Sequence, residues 1–444
     1  MNKSSLYNSL LEYKNLDRSS FHTPGHKGSF FSSYDLLSLD FTELPLTDSL
    51  YESSGIIKTA ENAVSRLYGS KLTCFSSGGN TLCIQAMIRL VANSGEKILC
   101  DRLVHRSVVS AMALLNIQPI WIKRKISSES GLAESIDILD LKEKLKQNPD
   151  AKGLYLTSPS YHGILQDISL ISKICKEYDI PVLVDNAHGS HLKFLGLHPL
   201  DLGASLTADS AHKTLPVLTA GAWLHINDEK FISRAKSAMS LFGSTSPSYP
   251  IMASLDMSRQ WLEKHGKSEF EKLKIKVDKI KKLASEKGIY IFSDNVLCDP
   301  VRITLGVHNI GYTGFEYREE LYKFKIEPEL CDENYVVLIA TPFNSERDWT
   351  RLESAISSIK PKNSKKLNIL NSEMTLPKSV ISISEAIMSR GTRISIDKCK
   401  NRIAADIVCP CPPGVPIVMP GEIIGDTEQK SLINYGISEI DVIE

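Results

Sequence analysis

The sequence predicts an α/β protein: a large domain on a mainly parallel seven-stranded sheet, then a smaller α+β domain and a short C-terminal domain. Three observations carry this reading. Short apolar runs alternate with helical stretches between residues 55 and 226, the signature of parallel strands joined by crossover helices. Beyond Gly288 that alternation gives way to a mixed pattern. The chain has 444 residues, of which 42% are hydrophobic, enough for more than one buried core.

Residues 1–54 read as an arm. It has a helical pattern over Leu6–Tyr13, then the Gly/Pro/His segment Phe21–Gly28. The large domain is expected over 55–287. Helical periodicity in Ile56–Leu67 leads to a strand at Leu72–Phe75, a Ser/Gly turn and a helix at Leu82–Ala92. Six more strands are expected at Lys97–Cys100, Pro119–Lys123, Gly153–Thr157, Pro181–Val184, Ser205–Ala208 and Ala222–His225. Residues 228–287 read as helical and end in a charged helix from Phe270 to Glu286. The smaller domain, 288–360, should hold strands at Tyr290–Phe292, Val301–Thr304 and Tyr335–Ala340, with helices at Phe315–Phe324 and Glu346–Ile359. Residues 361–364 read as a linker. The C-terminal domain, 365–444, carries a helix near Ile383–Met388 and a Pro-rich loop from Pro410 to Pro416.

Composition narrows the function. Lys+Arg and Asp+Glu are both 52, so no net charge draws the chain to nucleic acid or an acidic membrane. The basic clusters at 279–282 and 360–366 read as solvated faces. No apolar run approaches the roughly 20 residues that span a bilayer, and the N-terminus lacks a signal-peptide pattern. A cytoplasmic location is expected. Nine cysteines in no framework spacing suit reduced thiols. The one close pair, Cys409 and Cys411, has no second pair at zinc spacing, so no metal site is expected.

The chemistry is carried by strand ends. The run Ile180–Val184 delivers Asp185 to the end of a buried strand, within Asp185-Asn186-Ala187-His188-Gly189. A second run ends at Asp209 and delivers Ser210-Ala211-His212-Lys213. A lysine amine that can form a Schiff base, with a carboxylate to keep a pyridine nitrogen protonated, is what pyridoxal 5'-phosphate (PLP) requires. Lys213 must be neutral to act as nucleophile, and its neighbours Leu215-Pro216-Val217-Leu218 supply an apolar setting. Ser210 and His212 are suited to contact phosphate. The turn Ser76-Ser77-Gly78-Gly79-Asn80-Thr81 before a helix offers free N–H groups and a positive dipole end. Taken alone, such a turn is more often just a helix cap. No GxxxxGK[ST] motif is present, which disfavours a nucleoside triphosphatase. His105, after the strand ending at Cys100, can stack on a ring or move protons, and so can His188. Ala187 is small enough to lie under a ring.

In this order along the chain the motifs resemble the Orn/Lys/Arg decarboxylase family of PLP fold-type I enzymes, in its short form. The matching pieces include Pro24-Gly25-His26-Lys27-Gly28, Gly55-Ile56-Ile57-Lys58, the Asp185 and Lys213 segments, Ser246-Pro247-Ser248-Tyr249 and Pro420-Gly421-Glu422. The resemblance implies that Lys213 carries the Schiff base, Asp185 pairs with the pyridinium and His105 stacks on the ring. Asn80, Thr81, Ser210 and His212 would hold the phosphate, and Asp48 and Glu422 are candidates for the distal cation of a basic amino acid. The implied reaction is decarboxylation, of arginine first, then lysine, then ornithine. The chain departs from the family at Gly79-Asn80-Thr81 (usually Gly-Thr-Ser), at Asn186 (commonly acidic or Ser) and at Thr47-Asp48-Ser49-Leu50 (usually more acidic). A homodimer or higher homo-oligomer is implied, with Ser246 reaching the partner's phosphate. Two alternatives stay open: an aminotransferase or lyase, which would use Arg302 or Arg351 on the α-carboxylate, and a non-catalytic PLP-binding protein.

Overall fold

The structure is a computed structural model that describes residues 6–363, 374, 376–409 and 416–444. The Pro-rich loop over 410–415, with Cys411, lies outside the described residues. So do residue 364 of the expected linker and the opening of the C-terminal domain at 365–373.

Seven strands form the large sheet: β1 (Leu72–Ser76), β2 (Lys97–Asp101), β3 (Gln118–Ile122), β4 (Leu154–Thr157), β5 (Val182–Asp185), β6 (Leu206–Asp209) and β7 (Ala222–Ile226). Their spatial order is β1-β7-β6-β5-β4-β2-β3. Only β7 runs against its neighbours, pairing antiparallel with β1 and β6. Strands β1, β5, β6 and β7 are buried along their whole length. That burial is why they read as continuous apolar runs rather than alternating ones.

Helices cover both faces. Helix α1 (Ile56–Tyr68) lies against β1, and α2 (Gly79–Val91) packs on α3 (Arg106–Leu115). The long α4 (Tyr249–Glu286) leaves the large sheet and packs against α5 (Glu346–Ser358) of the next unit. That unit is a three-stranded antiparallel sheet of β8 (Arg302–Gly306), β9 (Leu330–Cys331) and β10 (Tyr335–Ile339), with β10 central. The expected strand at Tyr290–Phe292 is reduced to an isolated bridge between Tyr290 and Gly306. The arm is not free: Ser19–Phe21 pairs in parallel with Ile326–Pro328.

The C-terminal residues have their own small core, including Ile396, Ile424, Leu432 and Val442. It is built on two antiparallel strands, Gly391–Ser395 and Glu439–Ile443, that the sequence pattern did not reveal. Ile383, Ile407 and Met419 join the core over α2 and α3 instead. The cysteines among the described residues are all free thiols. No helix among the described residues is long and apolar enough to cross a membrane.

Candidate active site

Parallel strands that end together place their following loops around one crevice. Here the loops after β1, β2, β4, β5 and β6 line a cavity of ≈ 490 Å³, a size that suits a cofactor together with a small substrate. Gly79, Asn80, Thr81, His105, Asp185, Ala187, His188, Ser210, His212 and Lys213 all line it. Reading strand ends from sequence thus gathered residues up to 134 positions apart (213 − 79) into one crevice.

Asp185 closes β5 and is buried. It accepts hydrogen bonds from Asn80 Nδ2 at 3.0 Å and from the Ala187 N–H at 3.1 Å. Burial raises its pKa, against the pull of Lys213 and His105. Lys213 lies in a single helical turn, Ala211–Thr214. Its Nζ is 3.0 Å from His188 Nε2 and 5.5 Å from the Tyr161 ring centroid. Burial lowers the pKa of Lys213, with Asp185 opposing. Burial and the adjacent Lys213 and Arg302 hold the His188 pKa well below the usual histidine range. A neutral His188 can therefore exchange a proton with the lysine amine.

The arm fixes the lysine loop. The Gly25 N–H donates to His212 O at 2.8 Å, and a Cβ at Gly25 would come within 2.6 Å of Leu215 O. Only glycine permits that approach. His212 Nδ1 lies 3.1 Å from Gly221 O, which assigns the ring proton to Nδ1 and leaves Nε2 as an acceptor in the neutral ring. His105 caps α3 by accepting from the Ser107 N–H. Desolvation lowers its pKa, and Asp185 opposes this.

These residues fit PLP. The first turn of α2 has no side-chain cap, and Gly79, at φ +72°, has open space where a Cβ would be. The free N–H groups can therefore meet a phosphate. Thr81, Ser210 and His212 share the same cavity. The sequence reading also assigned Asn80 to the phosphate. Its amide is instead given to Asp185, and its Oδ1 is buried without a partner.

Two expectations fail for the same reason. Glu422 is 1% exposed, and both of its oxygens are taken by Arg102, at 2.6 and 2.8 Å. A carboxylate spent on a buried guanidinium cannot also read a substrate. Asp48 accepts from the N–H groups of Ser49, Ser54, Gly55 and Ile57 and so caps α1. Burial raises its pKa, but these donors outweigh burial and the net shift is downward. Neither acid lines the cavity. Ser246 is exposed and also lies outside this chain's own cavity. The arginines that an aminotransferase would use are elsewhere too. Arg351 bonds Asp17 and Ser19. Arg302 sits behind His188, with one nitrogen 3.4 Å from its Nδ1.

Sequence reasoning missed the loop after β4, Ser158–Ile164, from which Tyr161 and His162 enter the site. The Tyr161 and His188 ring centroids are 4.5 Å apart. The signal was available: a Ser/Pro/Gly loop bearing Tyr and His follows a strand end, as in the other loops. Sequence also gave no hint of the layer below, where Asn186 Nδ2 donates to Asp209 Oδ2 at 2.9 Å and His198 Nε2 lies 3.0 Å from that oxygen. Leu200 N–H donates to His198 Nδ1, which leaves the ring proton on Nε2, directed at Asp209. The acid often found at position 186 is thus an amide here, with a carboxylate facing it from Asp209.

A doubly wound sheet carrying Asp185 and Lys213 at adjacent strand ends defines a fold-type I PLP-dependent enzyme. Solved structures share that fold. A lysine decarboxylase of Francisella novicida superposes with a TM-score of 0.76 at 18% identity, over 98% of this chain and 80% of that one. An L-threonine transaldolase of Pseudomonas fluorescens follows at 0.63 and 13% identity, over 80% of this chain and 88% of that one. The Orn/Lys/Arg decarboxylase major domain matches residues 4–299, and that family's C-terminal domain matches 369–437. The chain belongs to the Orn/Lys/Arg decarboxylase family. An arginine decarboxylase of Bacillus subtilis is 32% identical, over 98% of this chain and 93% of that protein. The constitutive lysine decarboxylase of Escherichia coli is 21% identical, over 96% and 76%.

Proposed function

We propose that the protein decarboxylates a basic amino acid, L-arginine to agmatine and CO2 first, then lysine to cadaverine and ornithine to putrescine, as a cytoplasmic enzyme of polyamine metabolism. The observation that carries this reading is the convergence of Lys213, His188 and Asp185 in one cavity, with Lys213 and His188 3.0 Å apart. The 30–32% identity to proteins named arginine decarboxylase supports ranking arginine first.

When bound, PLP supplies an electron sink for the electrons left at Cα as CO2 departs. The chain's own residues do the rest. Lys213 would hold the cofactor through its amine, whose pKa burial lowers towards the nucleophilic neutral form. Asp185 would set a negative charge at the ring nitrogen, and Asn80 orients that carboxylate. His105 would cover the ring face. The α2 N-terminus, Thr81 and Ser210 would hold the phosphate, and His212 could join them only when protonated, with an Nε2–H to donate. His188 would pass a proton to Lys213, which would deliver it to Cα in place of the departing CO2. Leu132, Ile164 and Ile407 line the cavity with apolar surface and would keep water from the reacting carbon.

The test is amine product and CO2 from arginine, lysine and ornithine without a keto-acid acceptor. No amine from any of the three, with PLP bound, refutes the reading in favour of a binding protein. Dependence on an acceptor refutes it in favour of an aminotransferase.

We also propose a homodimer in which the exposed turn around Thr245 and Ser246 reaches the partner's phosphate. Inactive Lys213→Ala subunits mixed with inactive subunits altered at both Thr245 and Ser246 should regain activity, because some hybrids keep one intact site. No recovery despite demonstrated subunit exchange refutes the crossing loop.

A further inference from the structure

A basic substrate needs a negative or accepting group for its distal end. Among the described residues, Asp185 is the only carboxylate lining the cavity, and it is held by Asn80 and the Ala187 N–H. Asp48 and Glu422 are spent elsewhere. Among the lining histidines, one has a buried carboxylate directly behind it. His162 Nε2 lies 2.8 Å from Asp332 Oδ2, with the two side chains 5% and 10% exposed. A carboxylate only accepts, so in the neutral ring the proton is on Nε2 and Nδ1 keeps a lone pair.

The pair is rigidly built. Asp332 Oδ1 accepts from the N–H groups of Asn334 and Tyr335, both at 2.8 Å. Thr304 Oγ1 donates to His162 O at 2.8 Å. The same loop is sewn to the three-stranded unit by Leu165 N to Leu297 O and by Asp299 N to Gly163 O, both at 2.8 Å. Gly163, at φ +86°, lies so near Arg302 that a Cβ would come within 2.6 Å of its Cγ. A ring held at its backbone and at one nitrogen has few ways to turn.

Resting on the decarboxylase reading above, we propose that His162, backed by Asp332, is the specificity-determining residue that receives the distal ammonium or guanidinium of the substrate. The imidazole accepts the distal N–H, and the carboxylate one ring away supplies the negative charge. A carboxylate buried behind an imidazole polarises it, as outer-shell acids do for histidines elsewhere. The reader of the substrate would thus be assembled across two units of the fold, with the ring from the loop after β4 and the charge from the turn between β9 and β10.

Two variants and an uncharged isostere test this. Asp332→Asn keeps Oδ1 for the two backbone donors, removes the charge, and can turn a donor toward His162 Nε2. That forces the ring proton to Nδ1 and replaces the acceptor by a donor. His162→Phe keeps the ring shape and the backbone bond from Thr304 but has no nitrogen. In the holoenzyme, both should raise KM for the preferred basic amino acid roughly 10-fold or more, the loss expected for a hydrogen bond to a charged group. Inhibition by norleucine, which fills the same site with neither a distal charge nor a distal N–H, should move less than about 2-fold. The cofactor absorption band should stay unchanged. A KM that does not move, or that moves equally with the isostere's inhibition constant, overturns the proposal, because a merely structural loop would treat both ligands alike. If Asp332→Asn does not fold, His162→Phe alone decides it. Wild-type protein that makes no amine from any basic amino acid overturns the decarboxylase reading and this inference together. Active wild type with unchanged discrimination in the variants overturns this inference only.

Discussion

Asp101, Asp185 and Glu422 are equally cut off from solvent, yet their partners differ in kind. Asp101 receives the Arg124 guanidinium, and Glu422 receives that of Arg102, each in bidentate contact. Asp185 receives an amide from Asn80 and a backbone N–H, with no arginine or lysine in hydrogen-bond contact among the described residues. Burying an ion without a counter-ion is costly, and a fold normally neutralises it internally. Two of these acids are neutralised within the chain, and the third has no arginine or lysine bonded to it among the described residues. The raised pKa of Asp185 is the electrostatic mark of that difference, and a pyridinium is the cation that would relieve it.

The comparison can be broken most severely at Lys213. Lys213→Ala should bind PLP weakly and lose turnover by ~1000-fold or more, a barrier increase of about 4 kcal/mol. Borohydride should trap the cofactor on Lys213 in the wild type only, read by peptide mass. Normal activity in the variant would end the reading.

Arg102→Met tests the structural side. It strands Glu422 as a buried, unpaired charge and should destabilise the protein by about 3–5 kcal/mol, read by urea unfolding. Adding Glu422→Leu should recover most of that loss, because an apolar pair can replace an ion pair. If Glu422 instead read the substrate, the double variant would stay stable with a greatly raised KM.

Asp185→Asn sharpens the contrast. It should fold and leave stability nearly unchanged, because no internal cation is in hydrogen-bond contact with it. It should slow decarboxylation by at least ~100-fold, about 3 kcal/mol. A change within a few fold would mean that another group protonates the ring.

The smallest effect is at Asp48. Asp48→Ala should cost about 1 kcal/mol, the usual worth of an N-cap, with KM for substrate unchanged. Its folded pKa is lowered, so the contribution is present above the ordinary aspartate range and is lost as pH falls through the folded value. The wild-type and variant unfolding curves should therefore converge in acid.

What could be read from the sequence follows from how local each signal is. A buried strand and the residue that ends it are adjacent in the chain, so Asp185, Lys213, His105 and the Gly79 turn were placed correctly in the crevice. The partner of a charge is not local. Glu422 and Arg102 are 320 positions apart, and no pattern near Glu422 distinguishes a carboxylate that meets a guanidinium from one that meets a substrate. Asp48 was misread for a related reason: it caps a helix that begins several residues later, across a turn. The strand Gly391–Ser395 is exposed along nearly its whole length, so it shows no apolar alternation. The hairpin Arg124–Ile126 with Ala133–Ile136 is too short for any period to register. Tyr290–Phe292 has strand-like composition but makes only a bridge.

The Arg102–Glu422 pair also sets a timetable. At ~5–20 residues per second of synthesis, the 320 positions between them take on the order of 16–64 s to emerge. Through that interval the nascent large sheet carries, at the end of β2, an arginine whose final resting place is wholly enclosed, with no acid to meet it. Until the last stretch of chain arrives, that guanidinium must stay hydrated and the cover over α2 and α3 must stay open. A ribosome that stops before Glu422 therefore releases a protein with Asp185, His188 and Lys213 all present and one unpaired positive charge where its C-terminal cover should close.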